Sequence, residues 1–174
     1  GLIVETEAYL GESDSASHAY GGRRTNYTES LYGNPGDIYI YQIRSHYCFD
    51  VVVQDAEEPQ GILLRALEPT INVEEMNRNR GMEGTNVTNG PGKLVQALGI
   101  HDRKLDGQSM ANAPLTIRID EKREPLAITS SPRVGINPKG ANAHEDLRFY
   151  VAHNPYVSKM RKRDSDMTNH GWRK

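Results

Sequence analysis

Apolar and polar positions alternate over the first ten residues, GLIVETEAYL. Leu2, Val4, Thr6, Ala8 and Leu10 share one parity; Ile3, Glu5, Glu7 and Tyr9 share the other. A strand with this pattern turns its apolar set to a core and leaves two carboxylates and a phenol on the opposite face. Gly11 and the polar run to Ser17 predict a loop, and the glycine-rich stretch 21–37 ends in the turn signal Asn34-Pro35-Gly36-Asp37. DIYIYQI at 37–43 reads as a strand with Tyr39, Tyr41 and Ile43 on one face. YCFDVVV at 47–53 reads as the next strand, after a turn near Arg44-Ser45-His46. Polar residues 54–60, with Pro59, predict a turn, and GILLRALE at 61–68 a further strand whose apolar run is interrupted by Arg65.

Helical signals follow. Asn72 with Glu75 three residues on predicts a capping box and a helix to about Arg80, ended by Gly81. Pro91 opens a second helix through Leu98, stopped near Gly99. Residues 101–112 read as a loop, and 114–119, 125–129 and 147–151 have strand character. No repeat recurs along the chain. The pattern predicts one compact α+β domain over 1–174, with a curved mixed or antiparallel sheet and flanking helices.

Size and composition narrow the classes. At 174 residues the chain can bury a true core without staples. The single cysteine, Cys48, excludes an internal disulfide and fits a reducing, cytoplasmic setting. No apolar stretch is long enough to span a bilayer, and no basic-then-apolar leader is present. The chain opens inside a strand, which leads us to expect a preceding segment missing here. A net charge of -2 argues against a surface coated in phosphate contacts. That average hides a split: residues 151–174 hold six Lys/Arg against two Asp, and 159–174 read as a basic tail able to hold a polyanion.

The candidate chemistry is concentrated near the first strand. An acid beside clustered aromatics resembles a stacking pocket with a general base. Glu7 shares its face with Tyr9, and Tyr39 and Tyr41 follow on a neighbouring strand. Arg65 is placed to hold that carboxylate. Glu5 competes with Glu7 for the role, and the pattern alone does not separate them. Six histidines occur, at 18, 46, 101, 144, 153 and 170, without a metal-ligand spacing, so neither metal nor other cofactor is expected. Nucleophile elbows, phosphate-binding loops and dinucleotide fingerprints are absent. Gly90-Pro91-Gly92-Lys93 stands at a helix start, where Lys93 suits a phosphate. Arg133, Lys139, Arg148, Lys159 and the cluster Arg161, Lys162, Arg163 are further candidates for phosphate contacts.

At these residues the chain resembles the alkyladenine (3-methylpurine) DNA glycosylase family. The resemblance runs through VETEAYLG at 4–11, DSASHA at 14–19, GGR at 21–23, PGDIYIY at 35–41, LLRALEP at 63–69 and GPGKL at 90–94, and closes with LRFYV at 147–151 and NPYVSK at 154–159. It implies a single metal-free domain that acts as a monomer on double-stranded DNA through the minor groove. Such enzymes flip a damaged purine into a pocket and cleave its N-glycosidic bond, leaving an abasic site. The family's water-activating glutamate falls on Glu7, its pocket residues on Tyr9, His18 and Tyr41, and its arginine near the water on Arg65. The family's segment before the glutamate strand is not present.

Three departures stand out. Arg44 occupies the place of the tyrosine wedge that fills the gap left by the flipped base, in a segment one residue short. Asp50 replaces an asparagine that helps exclude guanine through its 2-amino group. The arginine-asparagine segment is replaced by Asn26-Tyr27-Thr28-Glu29-Ser30. Arg44 and Asp50 motivate an alternative, a damage-binding homologue with little or no catalysis. A third reading is a hydrolase of free nucleosides or small glycosides.

Overall fold

A computed structural model describes residues 1–174. Six strands form one sheet: β1 (Leu2–Tyr9), β2 (Ile38–Ile43), β3 (His46–Val52), β4 (Gly61–Glu68), β5 (Ile128–Ser131) and β6 (Arg148–Val151), in the order β2-β3-β4-β1-β6-β5. Every pairing is antiparallel, so of the mixed or antiparallel sheet expected the antiparallel form is the one present, and it is not strongly curled. Two helices flank it, α1 (Val73–Arg80) and α2 (Pro91–Ala97).

Period two explains the central layer. Ile38 and Ile40 point to one face with Phe49, Val51 and Leu64, and meet Leu94 and Val95 of α2. Tyr39 and Tyr41 point to the other face with Cys48 and Leu63, and are covered by Ala19, Leu31 and Tyr32. Both faces are buried, which is why β2 to β4 read as nearly continuous apolar runs. A third cluster joins Val4, Ala66, Val151, Val157 and Trp172.

The first strand departs from the simple alternation. Its register against β4 shifts around Glu5, so two irregularities bend it there. Glu5 and Glu7 are both 0% exposed, whereas Leu2, Thr6 and Ala8 remain half-buried. Both faces are covered: Val4 is buried in the third cluster with Leu2 beside it, as the apolar parity predicts, and the two acids are buried on the opposite face.

The helices end where the residues dictate. Gly81 at φ 63° closes α1, with Glu74 and Glu75 in the first turn and Arg78 and Arg80 in the last, as the helix dipole favours. Asn72 precedes α1, but it sits in the left-handed region and its side chain caps nothing, so the expected capping box does not form. Pro91 opens α2 as expected.

Two expectations for the second half change. Residues 114–119 form no strand: Ile119 is 81% exposed, and Arg118 pairs with Asp120 and Glu121. Alternation without a neighbouring strand to bond has nothing to hold it extended. Nor is 159–174 a free tail. It folds back so that Trp172 is buried, donating its indole N–H to Glu68 Oε2 at 2.7 Å, while Asn154 Nδ2 reaches the same oxygen at 2.7 Å. No helix is long and apolar enough to cross a membrane.

Candidate active site

Glu5 and Glu7 lie on the same strand and the same face, yet their surroundings differ. Glu5 is fully engaged. Its Oε1 accepts from Arg65 Nε at 2.8 Å, Arg148 Nε at 2.7 Å and Ser158 Oγ at 2.7 Å, and its Oε2 accepts from the Ser158 N–H at 2.6 Å. Those bonds tie β1 to β4, β6 and the loop after β6. Glu7 is held more lightly. Its Oε1 accepts from the Val134 N–H at 2.6 Å, and its Oε2 from the Tyr9 hydroxyl at 3.0 Å and Arg65 Nη1 at 3.2 Å. Arg65 thus bridges both acids, and its Nη2 also reaches Ser158 Oγ at 3.3 Å.

A cavity of about 630 Å³ opens on this face. Its wall takes Tyr9 from β1, Tyr39 and Tyr41 from β2, Cys48 and Asp50 from β3, and Arg65 from β4. The 15–18 and 134–137 loops, Pro91, Gly92 and the β2–β3 hairpin complete it. Glu7 itself does not line the space; its three partners Tyr9, Arg65 and Val134 do, so the carboxylate lies one group behind the wall.

The aromatic side is pre-arranged. Tyr39 and Tyr41 stack with centroids 5.2 Å apart, and His18 meets Tyr41 edge-on at 4.7 Å. His18 Nδ1 and the Tyr39 hydroxyl are 2.8 Å apart. Burial, with the charge of Arg23, lowers the His18 pKa and favours a neutral ring. Burial raises the hydroxyl pKa values of Tyr9, Tyr39 and Tyr41, so all three remain neutral donors. The Cys48 thiol is pushed up to about 12, mainly by burial. No three His, Cys, Asp or Glu side chains converge as a metal would require.

The expected phosphate contacts separate. Arg133 is not at the surface: it is buried, pairs with Asp14 at 2.5 Å and 2.8 Å, donates to the Ala8 carbonyl at 2.9 Å and lies 4.6 Å over the Tyr9 ring. Asp14 is buried too, which would raise its carboxyl, but the Arg133 bonds and the N–H groups of Ala16 and Leu10 hold it below the ordinary range. Arg148 is likewise committed to Glu5. Lys93 donates to Asn89 Oδ1 at 2.7 Å in the first turn of α2. Lys159 is exposed, and Arg44 stands exposed at the hairpin tip. The sequence pattern gives no sign of Val134, Ser158 or the Asp14–Arg133 pair, whose partners lie more than a hundred residues apart.

Comparison with known sequences gives the family. The sequence model described as methylpurine-DNA glycosylase (MPG) matches residues 1–155. The chain belongs to the methylpurine-DNA glycosylase family. Within the family it is 53% identical over 173 residues to a protein of Latilactobacillus sakei named "Putative 3-methyladenine DNA glycosylase", covering 99% of this chain and 81% of that one. Proteins of the same name from Lactobacillus delbrueckii and Enterococcus faecalis are 48% and 42% identical; each match covers 99% of this chain, and 83% and 76% of theirs respectively. Two of the three departures, Arg44 and Asp50, line the cavity. Arg44 and the half-exposed Ile43 stand at the hairpin end, and Asp50 lies in the interior at 5% exposure.

Proposed function

We propose that the protein hydrolyses the N-glycosidic bond of alkylated purines, 3-methyladenine among them, after the damaged nucleotide has flipped out of duplex DNA. Family membership supports glycosylase activity of this class. The observation that carries the finer reading is Glu7: a buried acid held by Arg65, Tyr9 and Val134 immediately behind an aromatic cavity. Glu5, on the same face, is saturated by structural partners and has no oxygen to spare.

In this reading Tyr9, His18 and Tyr41 grip the base. A water takes the place of the Tyr9 hydroxyl on Glu7 Oε2, gives up its proton to that carboxylate and attacks C1′. Arg65 fixes the carboxylate, whose charge favours the oxocarbenium-like sugar in the transition state. An alkylated purine carries positive charge already and departs as a neutral base without acid help. The cavity wall contains no lysine, which supports direct hydrolysis to an abasic site with the strand left intact.

The test is a panel of duplex oligonucleotides carrying single lesions. Release of 3-methyladenine, with alkali-labile abasic sites left behind, is the expected result. Binding without release across the panel would favour the damage-binding alternative, and turnover of free nucleosides alone the third.

In the same reading Arg44 and Ile43 enter the minor groove, while Lys93 and Lys159 meet the phosphate backbone. Arg44 has φ 56°, in the left-handed region that disfavours a side chain. Arg44→Gly is expected to raise stability by roughly 0.5–1 kcal/mol, seen in the urea midpoint, and to weaken duplex binding severalfold. Duplex binding unchanged in the variant would remove Arg44 from the DNA-contacting role.

A further inference from the structure

Asp50 is unlike the other buried acids on this face. It lines the cavity, it is 5% exposed, and its Oδ1 is the single buried side-chain oxygen without a hydrogen-bond partner. Buried polar atoms are ordinarily satisfied, so an orphan oxygen on a side chain that lines a cavity points to a partner the folded chain does not supply. Gly61 makes the position possible: a Cβ there would stand 3.2 Å from Asp50 Cβ.

The sheet register relates Asp50 to Glu7. Tyr39 pairs with Asp50, Asp50 with Leu63, and Leu63 with Glu7. Residues paired across strands share a face, so the row Tyr39–Asp50–Leu63–Glu7 looks toward one side. Strands lie about 4.8 Å apart, which sets the two acids about 10 Å apart along the row, with Leu63 between them.

The groups facing Asp50 are Tyr39 and Tyr41 from β2, Cys48 from its own strand, and Tyr9 and Glu7 from β1; β4 contributes Leu63 and, beyond it, Arg65, which is bonded to Glu5 and Glu7. No cation pairs with Asp50. Burial and the Glu7 charge outweigh the Tyr41 hydroxyl and push the Asp50 carboxyl up to about 8. It therefore holds a proton at neutral pH.

Resting on the glycosylase reading above, we propose that Asp50 is the acid that protonates the departing base when that base is a neutral purine, working across the cavity from Glu7. The C1′–N9 bond breaks with its electron pair leaving on the purine, and the Asp50 proton passes to a ring nitrogen. Water forms the new C1′–O bond and loses a proton to Glu7. Solvent then returns Glu7 to carboxylate and Asp50 to the acid. A neutral purine needs this proton because it would otherwise leave as an anion; a cationic alkylpurine does not.

Single-turnover release of hypoxanthine and of 3-methyladenine from matched duplexes tests the proposal. With the parent protein, hypoxanthine release is expected to fall about tenfold per pH unit above about 8, as Asp50 ionises, while 3-methyladenine release shows no such limb. Asp50→Asn is expected to lower hypoxanthine release at least about tenfold more than 3-methyladenine release and to abolish the limb. The variant is expected to melt higher than the parent, with a gain that grows from pH 4 to pH 8. A carboxyl whose folded pKa is raised favours the fold while protonated and loses that contribution as pH rises. Should the variant melt lower, the parent's two pH profiles decide on their own. Equal effects on both substrates, parallel pH profiles, or release of 3-methyladenine without any hypoxanthine by the parent would overturn the assignment of Asp50 alone. Release of neither base by the parent would overturn the glycosylase reading, and this proposal with it.

Discussion

Glu7→Gln is expected to slow 3-methyladenine release by about 10²–10⁴-fold, the range a positioned general base supplies. The substitution keeps the side chain's shape and its acceptor toward the Val134 N–H, which Oε1 now meets at 2.6 Å. What it removes is the ability to take a proton from water and the negative charge beside the sugar. The amide also turns a donor toward Arg65 Nη1, which presently donates to Glu7 Oε2 at 3.2 Å, but Arg65 keeps its bond to Glu5 at 2.8 Å. Affinity for a duplex bearing an abasic-site analogue is therefore expected to stay close to the parent's. Release within about threefold of the parent rate would remove Glu7 from catalysis, since a general base is worth far more than that.

How much of this was legible in the sequence depends on the distance over which each feature acts. Period two at Tyr39, Tyr41 and Ile43 is local, and the strand and its cavity-facing side follow from it. Arg65 inside an apolar strand is a local anomaly that signals a buried partner, and the partners are there. The difference in surroundings between Glu5 and Glu7 is not local. It comes from Ser158 and Arg148 on Glu5 and from Val134 on Glu7, residues 127 to 153 positions away that the fold alone brings in. Family resemblance pointed to Glu7 for reasons that strand parity did not contain. Counting charges failed at Arg133 for the same reason: a count treats every arginine as exposed, and only Asp14, 119 positions away, makes this one an interior strut. Residues 114–119 failed in the opposite direction, since a strand pattern forms no strand without a neighbour to pair with.

Arg65→Met is expected to cost about 3–5 kcal/mol of stability, measured by urea denaturation, because it leaves acids buried without their shared cation. Arg65 is 5% exposed and the two acids it bridges are 0% exposed. The loss falls unevenly. Glu5 retains Arg148 and both Ser158 donors, whereas Glu7 is left with the Tyr9 hydroxyl and the Val134 N–H, both neutral. Removing the stranded charge should therefore recover stability. The double variant Glu7→Gln/Arg65→Met is expected to be more stable than Arg65→Met by at least about 1 kcal/mol, a coupling of the size seen for residues in one buried network. A cost below about 1 kcal/mol for Arg65→Met would place the pair in the range of solvent-exposed bridges and contradict its burial. Strict additivity in the double variant would show that Arg65 acts through Glu5 alone. Because one guanidinium serves both the structural acid and the proposed catalytic one, the coupling to Glu7 measures how tightly the fold itself holds the base that is to activate water.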